Sequence, residues 1–297
     1  MGPSVVVIGN FDGVHRGHQA VLRQARTLAD ARGLRCVVLT FDPHPSLVLG
    51  RGAPPQLTTL ATRVELLRQH GATDVVVEPF TTELASWTPE QFVGDLLAKR
   101  LGTRAVVVGE NFRFGQNRAG DFETLRTLGA VHGLEAVAAE IDGDHDGPFS
   151  STRVRDAVAS GDVERAAYVL GRPHALSGVV EHGDARGRTL GFPTANLGGV
   201  GEMLPRYGVY AARASGAGTG TGEHGAVMNV GVRPTVDGMA LRIEAHLFDF
   251  DGDLYGKRLK IVLVARLRGE QKFAGIEELR AQIAKDAEAA RKRLIPG

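Results

Sequence analysis

The chain has 297 residues, of which 43% are hydrophobic and 23% are charged, as expected for a globular protein long enough for two domains. Its formal net charge of +1 excludes the broad basic field typical of nucleic-acid binding, and no apolar run is long enough to span a membrane. With a single cysteine and no apolar signal region at the N-terminus, the sequence predicts a soluble cytoplasmic protein without an internal disulfide.

The first motif, Gly-Asn-Phe-Asp-Gly-Val-His-Arg-Gly-His at residues 9–18, lies between a strand pattern at residues 5–8 and a helical pattern at residues 19–31. A strand, a glycine-punctuated turn and a helix N-terminus together favour phosphate binding, because backbone N–H groups can approach an anion there. His15 and His18 are three positions apart, which places them on one face of a helical turn. Solvated helix caps and metal ligands stay as alternatives, although no further ligands follow with zinc-site spacing.

Alternating strand and helix patterns fill the rest of the first half. Valine-rich strands are predicted at residues 36–41, 74–77, 105–109 and 134–138, and helices at residues 60–69, 89–101, 121–131, 156–160 and 162–170. This alternation predicts a parallel sheet covered on both faces. In such sheets, ligands collect where the strands end and the loops meet helix N-termini.

Three further motifs of this half have residues suited to nucleotide binding. Thr-Phe-Asp-Pro-His-Pro at residues 40–45 is a turn stiffened by two prolines. Val-Gly-Glu-Asn-Phe-Arg-Phe-Gly at residues 108–115 interleaves aromatic rings with arginine, which suits a planar ring and a phosphate. Ser-Ser-Thr-Arg-Val-Arg at residues 150–155 places arginines at a helix start, where a bound anion would stabilise them. A stiff loop and an ordinary surface loop are the alternatives for the first two.

In this order and at these spacings, the four motifs resemble the adenylyltransferase half of the bacterial bifunctional riboflavin kinase/FAD synthetase. The resemblance implies an α/β nucleotidyltransferase domain with a Rossmann-like parallel sheet of the HxGH type, where the phosphate of FMN attacks the α-phosphorus of ATP and pyrophosphate leaves. It implies that His15 and His18 are catalytic. The implied ATP-binding residues are Gly9, Asn10, Phe11, Asp12, His15, His18, Ser151 and Arg153, and the implied flavin-binding residues are Asn111, Phe112 and Arg113. Asn111 stands where many relatives have an aspartate.

A Gly/Pro joint at residues 171–175 divides the chain into predicted domains at residues 1–171 and 172–297. Beyond it, strands are predicted at residues 176–181, 207–213, 224–230, 242–248 and 260–267, joined by glycine-bearing turns. This pattern predicts a small antiparallel β-barrel, and an apolar stripe at residues 276–294 predicts a C-terminal helix packed on it. The glycine-rich tract at residues 215–222 predicts a flexible connection.

Two segments of the second half have polar residues that a barrel does not need for folding. Pro193 holds Thr194 and Asn196 in a rigid turn, and a hydroxyl and an amide beside a phosphate suit Mg²⁺. Strand alternation places Glu244 opposite the apolar residues of its strand, on a rigid element as a general base requires. A glycine-rich turn and a solvated strand face are the alternatives.

These segments resemble the riboflavin kinase half of the same family, through Arg-Gly-Arg-Thr-Leu-Gly-Phe-Pro-Thr-Ala-Asn at residues 186–196 and Ile-Glu-Ala-His-Leu-Phe-Asp-Phe at residues 243–250. The resemblance covers essentially the whole chain. It implies that Glu244 is the catalytic base for the riboflavin 5′-hydroxyl. The implied ATP-binding residues are Gly187, Arg188, Thr194 and Asn196, of which the last two also hold Mg²⁺.

The sequence as a whole indicates one polypeptide that phosphorylates riboflavin to FMN and then adenylylates FMN to FAD, with ATP as co-substrate and Mg²⁺ as cofactor. Its expected partners are the small molecules riboflavin, FMN and ATP, and its oligomeric state is not predicted. The alternatives are a monofunctional riboflavin kinase with an impaired adenylyltransferase half, and a non-catalytic flavin or nucleotide sensor. The presence of His15, His18, Thr194 and Glu244 argues against a sensor, which needs neither set of catalytic side chains.

Overall fold

The computed structural model describes residues 2–183, 191–220, 222–235 and 238–295. The chain packs into two compact units, of which unit 1 comprises Met1–Pro54 and Thr59–Ser150, and unit 2 comprises Pro55–Thr58 and Ser151–Gly297. By packing, residues 151–170 therefore group with unit 2, and the predicted domain boundary after residue 171 stays a prediction. No helix among the described residues is both long enough and apolar enough to cross a membrane.

Unit 1 is built on a parallel five-stranded sheet with the order β3-β2-β1-β4-β5. Its strands are β1 (Ser4–Ile8), β2 (Arg35–Asp42), β3 (Asp74–Pro79), β4 (Thr103–Val108) and β5 (Glu135–Ala138). The central strand β1 is buried along its whole length, with Val6 paired to Val37 on one side and to Val106 on the other. Because the strands are parallel, the loops after β1, β2 and β4 all leave the same edge of the sheet.

Helices cover both faces of this sheet. They are α1 (Arg16–Ala31), α2 (Pro45–Val48), α3 (Leu60–Gln69), α4 (Thr82–Ala85), α5 (Pro89–Gln91), which continues as a π-helix at Phe92–Arg100, and α6 (Phe122–Val131). On one face, Leu22 and Ala25 of α1 pack in a cluster with Val7. On the other face, Leu96 and Leu97 of the π-helix segment pack with strand residues such as Val6. Since helices cover both faces, the strands have consecutive apolar residues at their centres and do not alternate. A short hairpin, β6 (Gly143–Asp144) and β7 (Gly147–Pro148), follows β5.

Unit 2 begins with two helices, α7 (Ser151–Ser160) and α8 (Val163–Leu170), and continues as a closed β-barrel with the order β10-β11-β12-β9-β8-β13. The strands are β8 (Ala175–Glu181), β9 (Ala195–Gly198), β10 (Gly208–Gly216), β11 (His224–Thr235), β12 (Gly238–Leu247) and β13 (Arg258–Arg268). Neighbouring strands are antiparallel, and alternate residues such as Leu259, Ile261 and Leu263 fill the barrel interior. The predicted fold of this half is thereby confirmed.

The C-terminal helix α9 (Ile276–Leu294) packs against the outside of the barrel. Ala290 and Leu294 are buried there with apolar residues of β10 and β13. Asp286 of the same helix is 6% exposed, and its carboxylate accepts hydrogen bonds from Arg268 on β13 at 2.7 to 3.0 Å. These charge-assisted hydrogen bonds are directional, so they fix the position of α9 along the barrel surface. Apolar packing alone is less directional and would define that position less precisely.

Candidate active sites

The loop after β1 has a backbone conformation that most residues avoid. Phe11 and Val14 have φ values of +51° and +41°, in the left-handed region that is unfavourable for residues with a Cβ. Phe11 is only 3% exposed, and a Cβ on Gly9 would lie 3.1 Å from its ring. Strain of this kind concentrates at functional sites, where the surrounding structure holds it in place.

His15 and His18 stack on each other at the start of α1. Their ring centroids are 3.6 Å apart, and their planes differ by 25°. His15 is the N-cap of α1, and its Nδ1 accepts a hydrogen bond from the His18 backbone N–H at 3.4 Å. Gly17 leaves room for the pair, since a Cβ there would lie 3.2 Å from the His15 ring. The structure therefore brings together the two histidines that their spacing in the sequence places on one helical face.

His18 is held in its neutral form. Burial keeps the pKa of His18 well below its usual range, and the neighbouring His15 ring and Arg63 guanidinium lower this pKa further. Its Nδ1 is buried and has no hydrogen-bond partner among the described residues. A neutral imidazole offers one N–H donor and one lone pair. His18 can therefore orient a phosphate by hydrogen bonding, but it supplies no full positive charge.

The lowered pKa of His18 predicts its titration behaviour. In the unfolded chain a histidine titrates near a pKa of about 6.5, so the unfolded state binds more protons than the native state below that pH. Stability is then lost as the pH falls below about 6.5, by at most about 1.4 kcal/mol from this group at pH 5.5. In NMR spectra of the folded protein, we expect the ring protons of His18 to titrate well below the midpoint that the chain shows in denaturant. A midpoint near 6.5, as in denaturant, would contradict this assignment.

Asn10 is oriented by the motif after β2. Thr40 Oγ1 donates to the Asn10 carbonyl oxygen at 3.2 Å, and the Asn10 side-chain amide lies 3.0 Å from His44 Nε2. The His44 ring is itself fixed at its other nitrogen, because Nδ1 accepts from the Ser46 backbone N–H at 3.1 Å. Thr40 and His44 thus position a predicted site residue, a role that the sequence did not reveal.

Arg63 is a further residue near this site that no sequence motif indicated. It lies on α3 and is only 4% exposed. A pattern in the sequence could have identified it, because Arg63, Leu66 and Leu67 follow the spacing of a buried helical face. An arginine at such a position is seldom placed there for packing alone.

The predicted flavin-binding residues lie in the loop after β4. Asn111 and Arg113 are exposed, and the Arg113 guanidinium donates to the Phe112 carbonyl oxygen at 2.9 Å. The Phe112 ring is half-buried and stacks on Phe114 at 5.5 Å, within an apolar cluster that also includes Phe92. These contacts anchor the loop, and flavin binding by the three residues stays a prediction. Ser151 and Arg153 lie in the first turn of α7 in unit 2, so their approach to ATP also stays a prediction.

In the barrel, four polar residues form a continuous row across neighbouring strands. Asn196 of β9 pairs with Glu181 of β8 on one side and with Glu244 of β12 on the other, and Glu244 pairs with Asn229 of β11. Directly paired residues on antiparallel strands project from the same face. We call Glu181, Asn196, Asn229 and Glu244 the polar row. Their neighbours Ala195 and Ala245 lie in the barrel core, so the row faces outward.

Glu244 is held firmly within the polar row. Its Oε1 accepts from the Arg242 guanidinium at 3.1 Å, and both side chains are about one-quarter exposed (27% and 25%). The next outward-facing residue of β12 is His246, whose Nδ1 lies 2.8 Å from the Pro193 carbonyl oxygen. This contact connects the turn before β9 to β12. A carboxylate fixed in this way on a strand has the rigidity that a general base needs.

Two cavities flank the turn at residues 191–195. A cavity of about 660 Å³ is bordered by Thr194 and by the segment at residues 250–255. A second cavity, of about 440 Å³, lies between Phe192 and one face of α9. The Phe192 ring meets the His246 ring edge-on at 5.4 Å, which associates the second cavity with the outward face that bears Glu244. The turn thus separates two spaces of the size of small-molecule sites.

Comparisons with known proteins identify both halves of the chain. Residues 1–153 match the family model described as FAD synthetase, and residues 170–294 match the model described as riboflavin kinase. The bifunctional riboflavin kinase/FMN adenylyltransferase of Escherichia coli (strain K12) is 40% identical over 97% of this chain and 92% of its own length. The protein of the same name from Bacillus subtilis (strain 168) is 39% identical over 97% of this chain and 91% of its own length. The chain belongs to the bifunctional riboflavin kinase/FMN adenylyltransferase family.

A solved structure agrees with this assignment at the level of the fold. The crystal structure described as a macrolide-efflux protein from Streptococcus pneumoniae superimposes with a TM-score of 0.88 and 32% identity, and covers 98% of this chain and 94% of that one. The predicted family, the predicted fold and the predicted pair of transferase domains are confirmed.

The individual site residues of this family member stay predictions. Gly187 and Arg188 lie outside the described residues. Among those described, no cluster of three or more His, Cys, Asp or Glu side chains is suited to hold a metal ion. The predicted Mg²⁺ ligands, Thr194 and Asn196, are a hydroxyl and an amide, which bind Mg²⁺ weakly unless substrate phosphates complete the shell.

Proposed function

We propose that the chain makes FMN from riboflavin and ATP at the barrel site, and then makes FAD from FMN and a second ATP at the site after β1. The observation that supports this best is the presence of two separate sets of polar residues, each suited to one reaction. The stacked histidines suit hydrogen bonding to phosphate, and the polar row offers a carboxylate base beside an amide. A sensor would need neither arrangement.

At the first site, adenylyl transfer requires positioning and no covalent nucleophile. The FMN phosphate attacks the α-phosphorus of ATP in line with the departing pyrophosphate, so negative charge gathers on oxygen atoms that N–H donors can stabilise. We assign donation to those oxygens to His15 and His18. The residues Gly9 to Asp12 are proposed to shape the nucleotide pocket, with Asn10 held by His44. Ser151 and Arg153 are proposed to bind the triphosphate.

At the barrel site, Glu244 is proposed to accept the proton of the riboflavin 5′-hydroxyl as that oxygen attacks the γ-phosphorus of ATP. Thr194 and Asn196 are proposed to hold Mg²⁺ together with the ATP phosphates. The donor set fits, since all the candidate atoms are oxygens and Asn196 lies between two carboxylates in the polar row. When bound, Mg²⁺ neutralises charge on the transferring phosphoryl group. The residues themselves orient the two substrates and remove the proton.

The two cavities are proposed to hold different substrates. The one at Phe192 adjoins the face of the barrel that bears Glu244, so riboflavin placed there would bring its hydroxyl toward the base. Phe192 supplies an aromatic surface for the flavin ring. The larger cavity is bordered by Thr194 and is proposed to hold ATP.

The test is to incubate the unmutated protein with Mg-ATP and either riboflavin or FMN, and to separate riboflavin, FMN and FAD by chromatography. We expect riboflavin to give FMN and FAD, and FMN to give FAD. Formation of FMN without FAD would establish the monofunctional kinase instead. Binding of flavin without any product would establish the sensor.

A further inference from the structure

Arg63 is a buried arginine of unit 1 to which the proposed adenylyl transfer assigns no role. The residue is 4% exposed, and its Nε is buried without a hydrogen-bond partner among the described residues. A buried donor that stays unsatisfied is unfavourable and is rare in folded proteins. An anion that reaches such a donor gains more from it than from a hydrated arginine at the surface.

Arg63 lies near the residues that follow β1 and β2. Burial lowers the pKa of Arg63, whereas Asp12 and Asp42 raise it through their negative charges. The guanidinium in turn acts on His18, whose pKa it helps to lower. These mutual effects put Arg63 at the same sheet edge as the stacked histidines. A guanidinium keeps its proton in proteins, so Arg63 contributes a permanent positive charge at this edge.

The proposed reaction needs positive charge at this edge. It brings a triphosphate and a phosphate monoester together, and the neutral His18 ring offers hydrogen bonds without charge. Charge-assisted hydrogen bonds from arginine to phosphate are short and strong, and their planar geometry fixes the phosphate. A cation that burial already holds in place stabilises the developing charge without reorganisation.

We propose that Arg63 binds a phosphate oxyanion in the adenylyl-transfer site through its buried guanidinium, either on the polyphosphate of ATP or on FMN. The expected effect of Arg63 on the rate of FAD formation rests on the proposed function, whereas its expected effect on phosphate binding does not. The competing explanation is a structural ion pair, in which Arg63 only balances Asp12 and Asp42.

The experiment compares Arg63→Met with the unmutated protein and with Arg68→Met, an exposed arginine on the same helix. Calorimetry on the full chain measures the binding of pyrophosphate, adenosine, FMN and riboflavin. We expect Arg63→Met to weaken the binding of pyrophosphate, or of FMN, about 30-fold, as loss of a charged hydrogen bond should. Binding of adenosine and riboflavin, which lack phosphate, should not change, and Arg68→Met should behave as the unmutated protein.

The outcomes distinguish ATP from FMN as the phosphate ligand of Arg63, and phosphate binding from a purely structural ion pair. Weaker pyrophosphate binding assigns Arg63 to ATP, and weaker FMN binding with unchanged riboflavin binding assigns it to FMN. Equal losses for phosphorylated and unphosphorylated ligands, or no loss, would overturn the inference. If the unmutated protein forms no FAD, the proposed function fails, while the pyrophosphate measurement still tests Arg63.

A second variant keeps the inference testable if Arg63→Met does not fold. Arg63→Lys keeps the charge and loses Nε with the planar geometry, so we expect weaker binding of the same phosphate ligand, by about 3- to 10-fold, with adenosine unaffected. The KM for that substrate in FAD formation should rise by a similar factor. Pyrophosphate and FMN binding that both stay unchanged in Arg63→Lys would overturn the inference.

Discussion

Replacement of Glu244 by Gln is expected to lower FMN formation from riboflavin about 10³-fold, the scale of a lost general base. The amide keeps the size and the hydrogen-bonding shape of the carboxylate, and it can still accept from Arg242 at the present 3.1 Å. The Gln side chain, however, cannot take the proton of the 5′-hydroxyl. The conversion of added FMN to FAD should continue at the unmutated rate, because Glu244 lies in the barrel and the histidine pair lies in unit 1.

The assay follows FMN and FAD separately by chromatography after feeding riboflavin or FMN. The matched control is Glu288→Gln, which makes the same change of atoms at an exposed position of α9, where the carboxylate forms a surface ion pair with Lys292 at 2.8 Å. That surface pair contributes little to stability, so both reactions should be unaffected. Loss of FAD formation from FMN in Glu244→Gln would show that the two activities are not independent.

The parallel sheet could be predicted from the sequence because its cause is local. A strand buried on both faces is apolar at nearly every position, and residues 36–41 are all buried and, apart from Thr40, apolar, within the observed Arg35–Asp42. In the intervening helices, the apolar residues recur with the helical period of about 3.6 residues. Each strand or helix can therefore be recognised from a window of about ten residues, independently of the rest of the chain.

The polar row could not be predicted, because it depends on the register of four strands. Asn196 lies on β9, a strand of only four residues after a glycine-rich segment, and no strand was predicted at these positions. Its pairing with Glu181 and Glu244 joins residues far apart in the chain. Asn196 and Glu244 were predicted as site residues, whereas Glu181 and Asn229 were not, and the alignment of all four is a property of the closed barrel.

The glycine-rich tract at residues 215–222 was predicted to be a flexible connection, and this was wrong for residues 215–220. Gly216 ends β10, and the turn beyond it is closed by Thr219, which is 6% exposed. Its Oγ1 lies 3.0 Å from the Gly216 carbonyl oxygen and accepts from the Gly216 N–H at 3.1 Å. Composition indicates the average conformational freedom of such a tract. It does not predict that one threonine side chain closes the turn through hydrogen bonds.

Replacement of His18 by Ala is expected to have the opposite effect to that of Glu244→Gln. FAD formation from FMN should fall about 10²- to 10³-fold, the loss typical of one preorganised donor to a developing oxyanion. The kinase reaction in the barrel should be unchanged. His132→Ala, which removes an exposed histidine of unit 1, is the matched control and should leave both reactions intact.

The His18 ring has two roles that alanine removes together, since it stacks on His15 at 3.6 Å and also offers a donor nitrogen. His18→Phe separates these roles, because it keeps an aromatic ring against His15 and Phe11 and loses both nitrogens. If the nitrogen is what the reaction uses, His18→Phe should lose as much FAD formation as His18→Ala. A His18→Phe variant that retains most of the activity would mean that the ring only supports His15, which would then be the donor to the ATP phosphates.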